Sequence, residues 1–216
     1  MNLKLKNRLT ASAAAGVIVV SWGWIYLTQI KTSRHNLALH QKIGEVLAEE
    51  TAQLIGKKGL LVTISISTKK WPELRTQIDA FKARLKRLGD YEFREYEMDT
   101  KDQPKYGVGS GLSGRRYIRT VNKNPKADLF VSFVGAPKLT QDEAAELVKK
   151  PRFIAESSSS DNLPDLFERK LISVAVVSRF QFPAPGPEKP QTAQEWFTKR
   201  YQVVTAEGSA SVTRAE

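Results

Sequence analysis

Between Leu9 and Ile30 run twenty-two residues without one charged side chain, and no other stretch constrains the chain so strongly. An α-helix rises 1.5 Å per residue, so this run reaches roughly 33 Å, enough to cross a hydrocarbon core of about 30 Å. Its first half, Ala11 to Gly16, is small rather than greasy, and Val17 to Val20, Trp22, Trp24, Ile25, Tyr26 and Leu27 restore the hydrophobicity. Trp22, Trp24 and Tyr26 suit a membrane–water interface, where an amphipathic ring is half wet. A cleaved signal peptide would share the basic leader of Lys4, Lys6 and Arg8. Its apolar core, however, spans only about 7–15 residues and ends at a small-x-small cleavage site, which this run lacks. The expectation is a basic leader over 1–8 and a transmembrane anchor over 9–30. Lys4, Lys6 and Arg8 stand against Lys31, Arg34 and Lys42, a slight bias toward an inside N-terminus and an extracytoplasmic, periplasmic domain.

Beyond the anchor the chain is polar and mixed in pattern, about 185 residues, the size of one domain with a full core. The chain has no cysteine, which excludes structural disulfides and leaves the compartment open. Thirty-four Lys and Arg against 23 Asp and Glu give a net charge of +11. Nucleic-acid binding needs such charge gathered on one face. Here it is scattered, with Lys82-Arg84-Lys86-Arg87 and Arg115-Arg116-Arg119 as the local concentrations, so a solvated basic surface is expected and nucleic acid is not.

No proline occurs before Pro72, and Leu39, Ile43, Leu47, Thr51 and Leu54/Ile55 keep three-to-four spacing, one apolar helical face. The segment 31–56 therefore reads as a stalk and first domain helix, interrupted only if Thr32, Ser33 or Asn36 acts as a cap. From 57 to 205 an α/β domain is expected. Leu60–Ile66, Tyr91–Met98, Ala127–Gly135, Arg152–Ala155 and Leu171–Val177 read as strands. Between them lie an amphipathic helix from Trp71 to Leu88, helices at Arg115–Val121 and Leu139–Lys149, and a short one at Asp165–Arg169. Thr140 with Glu143 forms a capping box. Phe182 to Pro190 holds four prolines and reads as a loop; Thr192–Tyr201 gives a last helix, with Trp196, Phe197 and Tyr201 expected in the core. The tail 206–216, small and polar, is expected to be disordered. Strands alternating with helices predict a three-layer, doubly wound, mostly parallel five-stranded sheet in the flavodoxin-like order 2-1-3-4-5.

The unit from Gly44 to Ile64, a helix closed by Gly56-Lys57-Lys58-Gly59 and continued by the strand Leu60-Leu61-Val62-Thr63-Ile64, resembles the opening unit of lobes in type I periplasmic solute-binding proteins and their sugar-binding relatives. The strand end Ser132-Phe133-Val134-Gly135-Ala136-Pro137 is similar to ends that line their ligand cleft. The resemblance covers Gly44 to Tyr201 in pattern and implies one such lobe. That family closes two lobes on a ligand, and this chain has length for one.

Few residues invite chemistry. Gly109-Ser110-Gly111-Leu112-Ser113-Gly114 matches G-x-G-x-x-G and opens a helix, with Arg115 and Arg116 behind it. Backbone N–H groups and guanidiniums together suit a phosphate, although a dinucleotide fingerprint should come directly after the first strand. Ser157–Ser160 reads as plain loop. His35 and His40 lack further ligands, so no metal is expected, and no cofactor. Asp99 and Asp128 are expected to end and begin strands rather than pair. Neither a serine-nucleophile motif nor a nucleophile–base–orienter set is present, so an enzyme is not expected. A site would lie beyond the carboxyl ends of the central strands, at Ser65, Ser67, Thr68, Gly135 and Ala136, with Gly109, Gly111, Gly114, Arg115 and Arg116 arching nearby. Two functions fit. One is a single-pass accessory or scaffold subunit whose partners are other membrane-protein subunits, or its own copies, and the bilayer. The other is a tethered domain that binds a small solute or anion.

Overall fold

The computed structural model of the chain describes residues 16–25, 31–98, 111–158, 162–179 and 192–207. The chain divides into two units, Met1–Ala38 and Leu39–Glu216. In the first, residues 16–25 are helical, and Val17 to Val20, Trp22, Trp24 and Ile25 stand exposed. Among the described residues no helix is long and apolar enough to cross a membrane. The flanks of the expected 9–30 anchor, Tyr26 among them, and its join to the next helix lie outside the described residues. Helix α1, Lys31–Ile55, runs through Thr32, Ser33 and Asn36 without a break.

The second unit begins inside that helix, and the reason is the apolar stripe: Leu39, Ile43, Leu47 and Thr51 are all buried. The stripe packs α1 closely against α2, Pro72–Leu88, which buries Leu74, Ile78, Phe81 and Leu85. At their crossing Gly44 is required, because a Cβ there would lie 2.1 Å from the Gln77 carbonyl oxygen. Gly56 then ends α1 at φ +78°, the left-handed exit that glycine takes without strain.

Six strands form the main sheet in the order β2-β1-β4-β6-β7-β8. They are β1 Lys58–Ile66, β2 Asp90–Met98, β4 Leu129–Ser132, β6 Phe153–Ser157, β7 Val174–Ser178 and β8 Tyr201–Thr205. The first five are parallel, in the expected 2-1-3-4-5 arrangement. β8 is an additional strand, antiparallel to β7, so the sheet has six strands rather than the five expected. Two residues each, β3 Leu112–Ser113 and β5 Pro137–Lys138 make a separate parallel pair. The remaining helices are α3 Gly114–Lys123, α4 Gln141–Ala145, α5 Leu163–Glu168 and α6 Ala193–Arg200.

Register sorts the faces. Phe93 pairs with Leu61 and Leu61 with Leu129, whereas Phe130 pairs with Phe153, so Phe93 and Phe153 lie on opposite faces of the sheet. Phe81 of α2 meets Phe93 and Phe133 edge-on, and Tyr117 of α3 meets Phe153. Helices thus cover both faces, and central strands β4 and β6 are buried at every position. Trp196 and Tyr201 pack partly buried against this core and Phe197 is buried within it.

Two boundaries differ from expectation for tertiary reasons. The helix expected over Leu139–Lys149 stops at Ala145, because Asn122 of α3 bonds both the Glu146 carbonyl and the Val148 amide and draws that segment into a loop. The last helix ends at Arg200, where the chain enters β8 at once.

Candidate functional site

The sheet order reverses between β1 and β4, and a crevice at such a switch point opens beyond the carboxyl ends of the strands. β1 ends at Ile66, and Ser67 leads into a short 3-10 turn, Thr68–Lys70. Ser65, Ser67 and Thr68 are half-buried there. β4 ends in a turn built by Ser132, whose hydroxyl donates to the Gly135 carbonyl at 2.7 Å and accepts from the Val134 amide at 3.3 Å. Gly135 carries that turn at φ +113°.

The same turn is then covered. The Gly111 amide donates to the Val134 carbonyl at 3.2 Å and the Leu112 amide to the Ala136 carbonyl at 3.1 Å. Gly135 and Ala136 are buried as a result, and their backbone groups serve the protein itself. Asn162 fixes the next residue by donating its amide to the Pro137 carbonyl at 3.1 Å.

The structure therefore gathers most of the expected residues at one edge, in two different states. Ser65, Ser67 and Thr68 line the β1 end, while Gly111, Gly135 and Ala136 are spent on holding the β4 end closed. Gly114 is buried at the start of α3, and Arg115 is exposed. Arg116 lies against the Met98 sulfur at the end of β2. Gly109 lies outside the described residues, as do Asp99 and Ser159–Ser160.

The phosphate geometry expected at Gly114 meets an obstacle that the local sequence hides. A Cβ at Gly114 would lie 2.4 Å from the Glu143 Oε2, so that carboxylate sits against the first turn of α3, where an anion would approach. Glu143 is held there by the capping box: its Oε2 accepts from the Thr140 amide at 3.0 Å, and its own amide donates to the Thr140 hydroxyl at 3.2 Å.

Among the described residues no group of three or more metal-binding side chains occurs, and the side chain of His35 lies outside them. His40 instead lies 3.3 Å from the Gln77 Oε1. Asp128 accepts the Leu60 amide at 2.8 Å and ties the start of β4 to β1.

One titratable residue escaped the sequence reading. Glu156, next to the last residue of β6, is 8% exposed. Its register places it on the α2-covered face with Ile154 and Val176. Burial pushes its carboxyl up to about 7, and the facing Gln77 side chain draws it partly back. The Gln77 Nε2 closes no ordinary hydrogen bond among the described residues, so the amide acts on Glu156 as a nearby dipole rather than as a bonded donor. Tyr201 is raised by burial and then by Glu156, against a lowering by Arg200. An acidic residue directly after the apolar run Phe153-Ile154-Ala155 was the available signal.

No family model matches this sequence, and no curated protein does. Solved structures do. AraP, an arabinose-binding protein from Geobacillus stearothermophilus, aligns with a TM-score of 0.55 at 15% identity, over 81% of this chain and 63% of its own. An ABC transporter solute-binding protein from Agrobacterium vitis, bound with alpha-D-tagatopyranose, aligns at 0.52 and 16% identity, over 82% of this chain and 58% of its own. A XylFII–LytSN complex aligns at 0.50 and 12% identity, over 78% and 60%. This chain thus spans about three-fifths of the length of each. The shared property is the fold: a mostly parallel α/β sheet like that of a periplasmic sugar-binding-protein lobe.

Proposed function

We propose that the second unit binds a small polar solute, of the sugar class, at the carboxyl edge where β1 and β4 part. The observation that carries this reading is the parallel order with its switch point, in a fold similar to AraP and the tagatose-bound protein at TM-scores of 0.55 and 0.52. Ser65, Ser67 and Thr68 supply hydroxyls and backbone groups suited to sugar hydroxyls. One lobe offers one wall, so a second copy or another subunit would supply the other. Binding is not coupled to catalysis in this reading. The domain lies outside the cytoplasm, held to the membrane by the apolar stretch 9–30.

The test is a thermal-shift series on the full chain in phospholipid nanodiscs, with arabinose, tagatose, amino acids and phosphorylated metabolites. A sugar that raises the transition, and loses that effect in Ser67→Ala with Thr68→Ala, supports the reading. No stabilisation by any compound at millimolar concentration overturns it.

A second reading, an accessory subunit of a larger membrane assembly, is favoured by one observation: the helical residues 16–25 present Val17, Val19, Trp22 and Trp24 to solvent. Extraction from native membranes in a gentle detergent, with sizing of the extract, decides it. A large complex supports the subunit reading and a clean monomer overturns it.

A further inference from the structure

At the amino ends of β4 and β6, opposite the carboxyl edge, lies a cavity of about 330 Å³. That is within the size range of small-molecule sites. Val121, Ala127, Phe130 and Pro151 give it apolar walls, and Lys149, Lys150 and Arg152 give it a cationic rim.

Its walls are held by bonds within the chain. Asn122, near the end of α3, donates to the Glu146 carbonyl at 3.1 Å and accepts the Val148 amide at 3.3 Å, so the loop carrying Lys149 and Lys150 is clipped in place. Asn124 closes α3 by donating to the Thr120 carbonyl at 2.9 Å. Arg152 spends one Nη1 hydrogen on the Leu54 carbonyl at 3.1 Å, which fixes the guanidinium and leaves its other donors for a ligand. A site built in advance spends little binding energy on ordering itself.

Charge selects the occupant. Asp128 also lines the cavity, but its Oδ2 is taken by the Leu60 amide. The carboxyl end of α3 contributes roughly half a negative charge. Three cations outweigh both. Among the described residues neither Lys149 nor Lys150 has an ion-pair partner.

We propose that this cavity is a second binding site, for a small molecule that joins an apolar ring or chain to one anionic group. The apolar body lies on Phe130 and Val121, and the phosphate or carboxylate meets Lys149, Lys150 and Arg152. The site is separate from the carboxyl edge, so it stands whether or not that edge binds a solute.

The absence of cysteine allows a direct test on the full chain in phosphatidylcholine nanodiscs. Val148→Cys, at a rim position that is 85% exposed, takes a trifluoromethyl label whose fluorine resonance reports occupancy. The probes are phenyl phosphate, phenylacetate, neutral phenylacetamide and inorganic phosphate. Phenyl phosphate and phenylacetate are expected to saturate the shift, each with a Kd at least about tenfold below that of phenylacetamide, and phenyl phosphate at least about tenfold below inorganic phosphate. Lys149→Gln with Lys150→Gln, two exposed changes, should weaken phenyl phosphate about tenfold or more while leaving phenylacetamide unchanged. Equal affinity for the neutral probe overturns the anion requirement, and equal affinity for inorganic phosphate overturns the apolar one. No saturable shift up to about 10 mM phenyl phosphate overturns the site itself.

Discussion

Glu156 on β6 and Gln77 on α2 face one another beneath the helix layer, and the amide's Nε2 has no hydrogen-bond partner among the described residues. Burial takes the carboxyl out of water, and the Gln77 side chain offsets this only in part, which is why the protonated form is favoured up to about pH 7.

That burial makes stability fall as pH rises. Unfolded, Glu156 ionises near its ordinary 4.5; folded, near about 7. Its contribution is whole below about pH 4.5 and is lost as pH climbs through about 7, an amount of up to roughly 3 kcal/mol. Glu156→Gln should flatten this slope and leave the variant more stable than the parent at pH 8, with little difference at pH 4.5. Urea unfolding at a series of pH values measures it. A parallel pair of curves would assign the slope to other groups.

At Gly44 an alanine should act against its own helix propensity. In an exposed helix Gly→Ala stabilises by about 1 kcal/mol. Here the new Cβ would meet the Gln77 carbonyl at 2.1 Å and the Phe81 amide nitrogen at 3.0 Å, both backbone atoms that cannot rotate away. Gly44→Ala is therefore expected to lower stability by roughly 2–3 kcal/mol, as α1 is pushed off α2. An unchanged urea midpoint would show that the two helices separate freely.

How much of this was legible in the sequence depends on how local each cause is. The five parallel strands and their order stem from short apolar runs such as Leu60–Ile66 and from α2's spacing of Leu74, Ile78, Phe81 and Leu85, signals carried by the residues themselves. β8 was hidden because Tyr201–Thr205 directly continues a helical pattern, and only its pairing with Val174–Ser178 makes it a strand. The Gly-rich motif looked ready for phosphate because Glu143, which occupies the approach to Gly114, is brought there by the chain's return through β5 and α4. Glu156 falls just past the strand read at Arg152–Ala155, and only the extension of β6 to Ser157 beneath the helices buries it.

The Thr140–Glu143 box should show its two bonds as one unit. Each single change, Thr140→Ala or Glu143→Ala, removes one of the two backbone-donated bonds together with the hydroxyl–carboxylate contact, and is expected to cost about 1 kcal/mol. Each change leaves the other backbone-donated bond in place, so coupling comes through the 3.4 Å contact between the two side chains and the turn they share; the double variant should cost less than the sum, by at least about 0.5 kcal/mol. A four-variant unfolding cycle gives the number, and strict additivity would mean that the bonds act independently.

The membrane placement of Trp22 and Trp24 is open to fluorescence because the chain holds four tryptophans in all. Trp71 is 37% exposed before α2, and Trp196 is half-buried with Arg200 over its ring at 4.8 Å. Replacing both by Phe leaves emission from Trp22 and Trp24 alone. If residues 9–30 cross a bilayer with these rings at its surface, their emission should shift to the blue on transfer from detergent-free buffer to vesicles. Lipids brominated near the headgroup should quench it more strongly than lipids brominated near the chain ends. Charged substitution at Val19 should weaken partitioning, since an arginine at the centre of a span costs about 2.5–3.5 kcal/mol by insertion. Emission that stays red and is quenched by aqueous iodide in the presence of vesicles would place both tryptophans in water, and with them the segment.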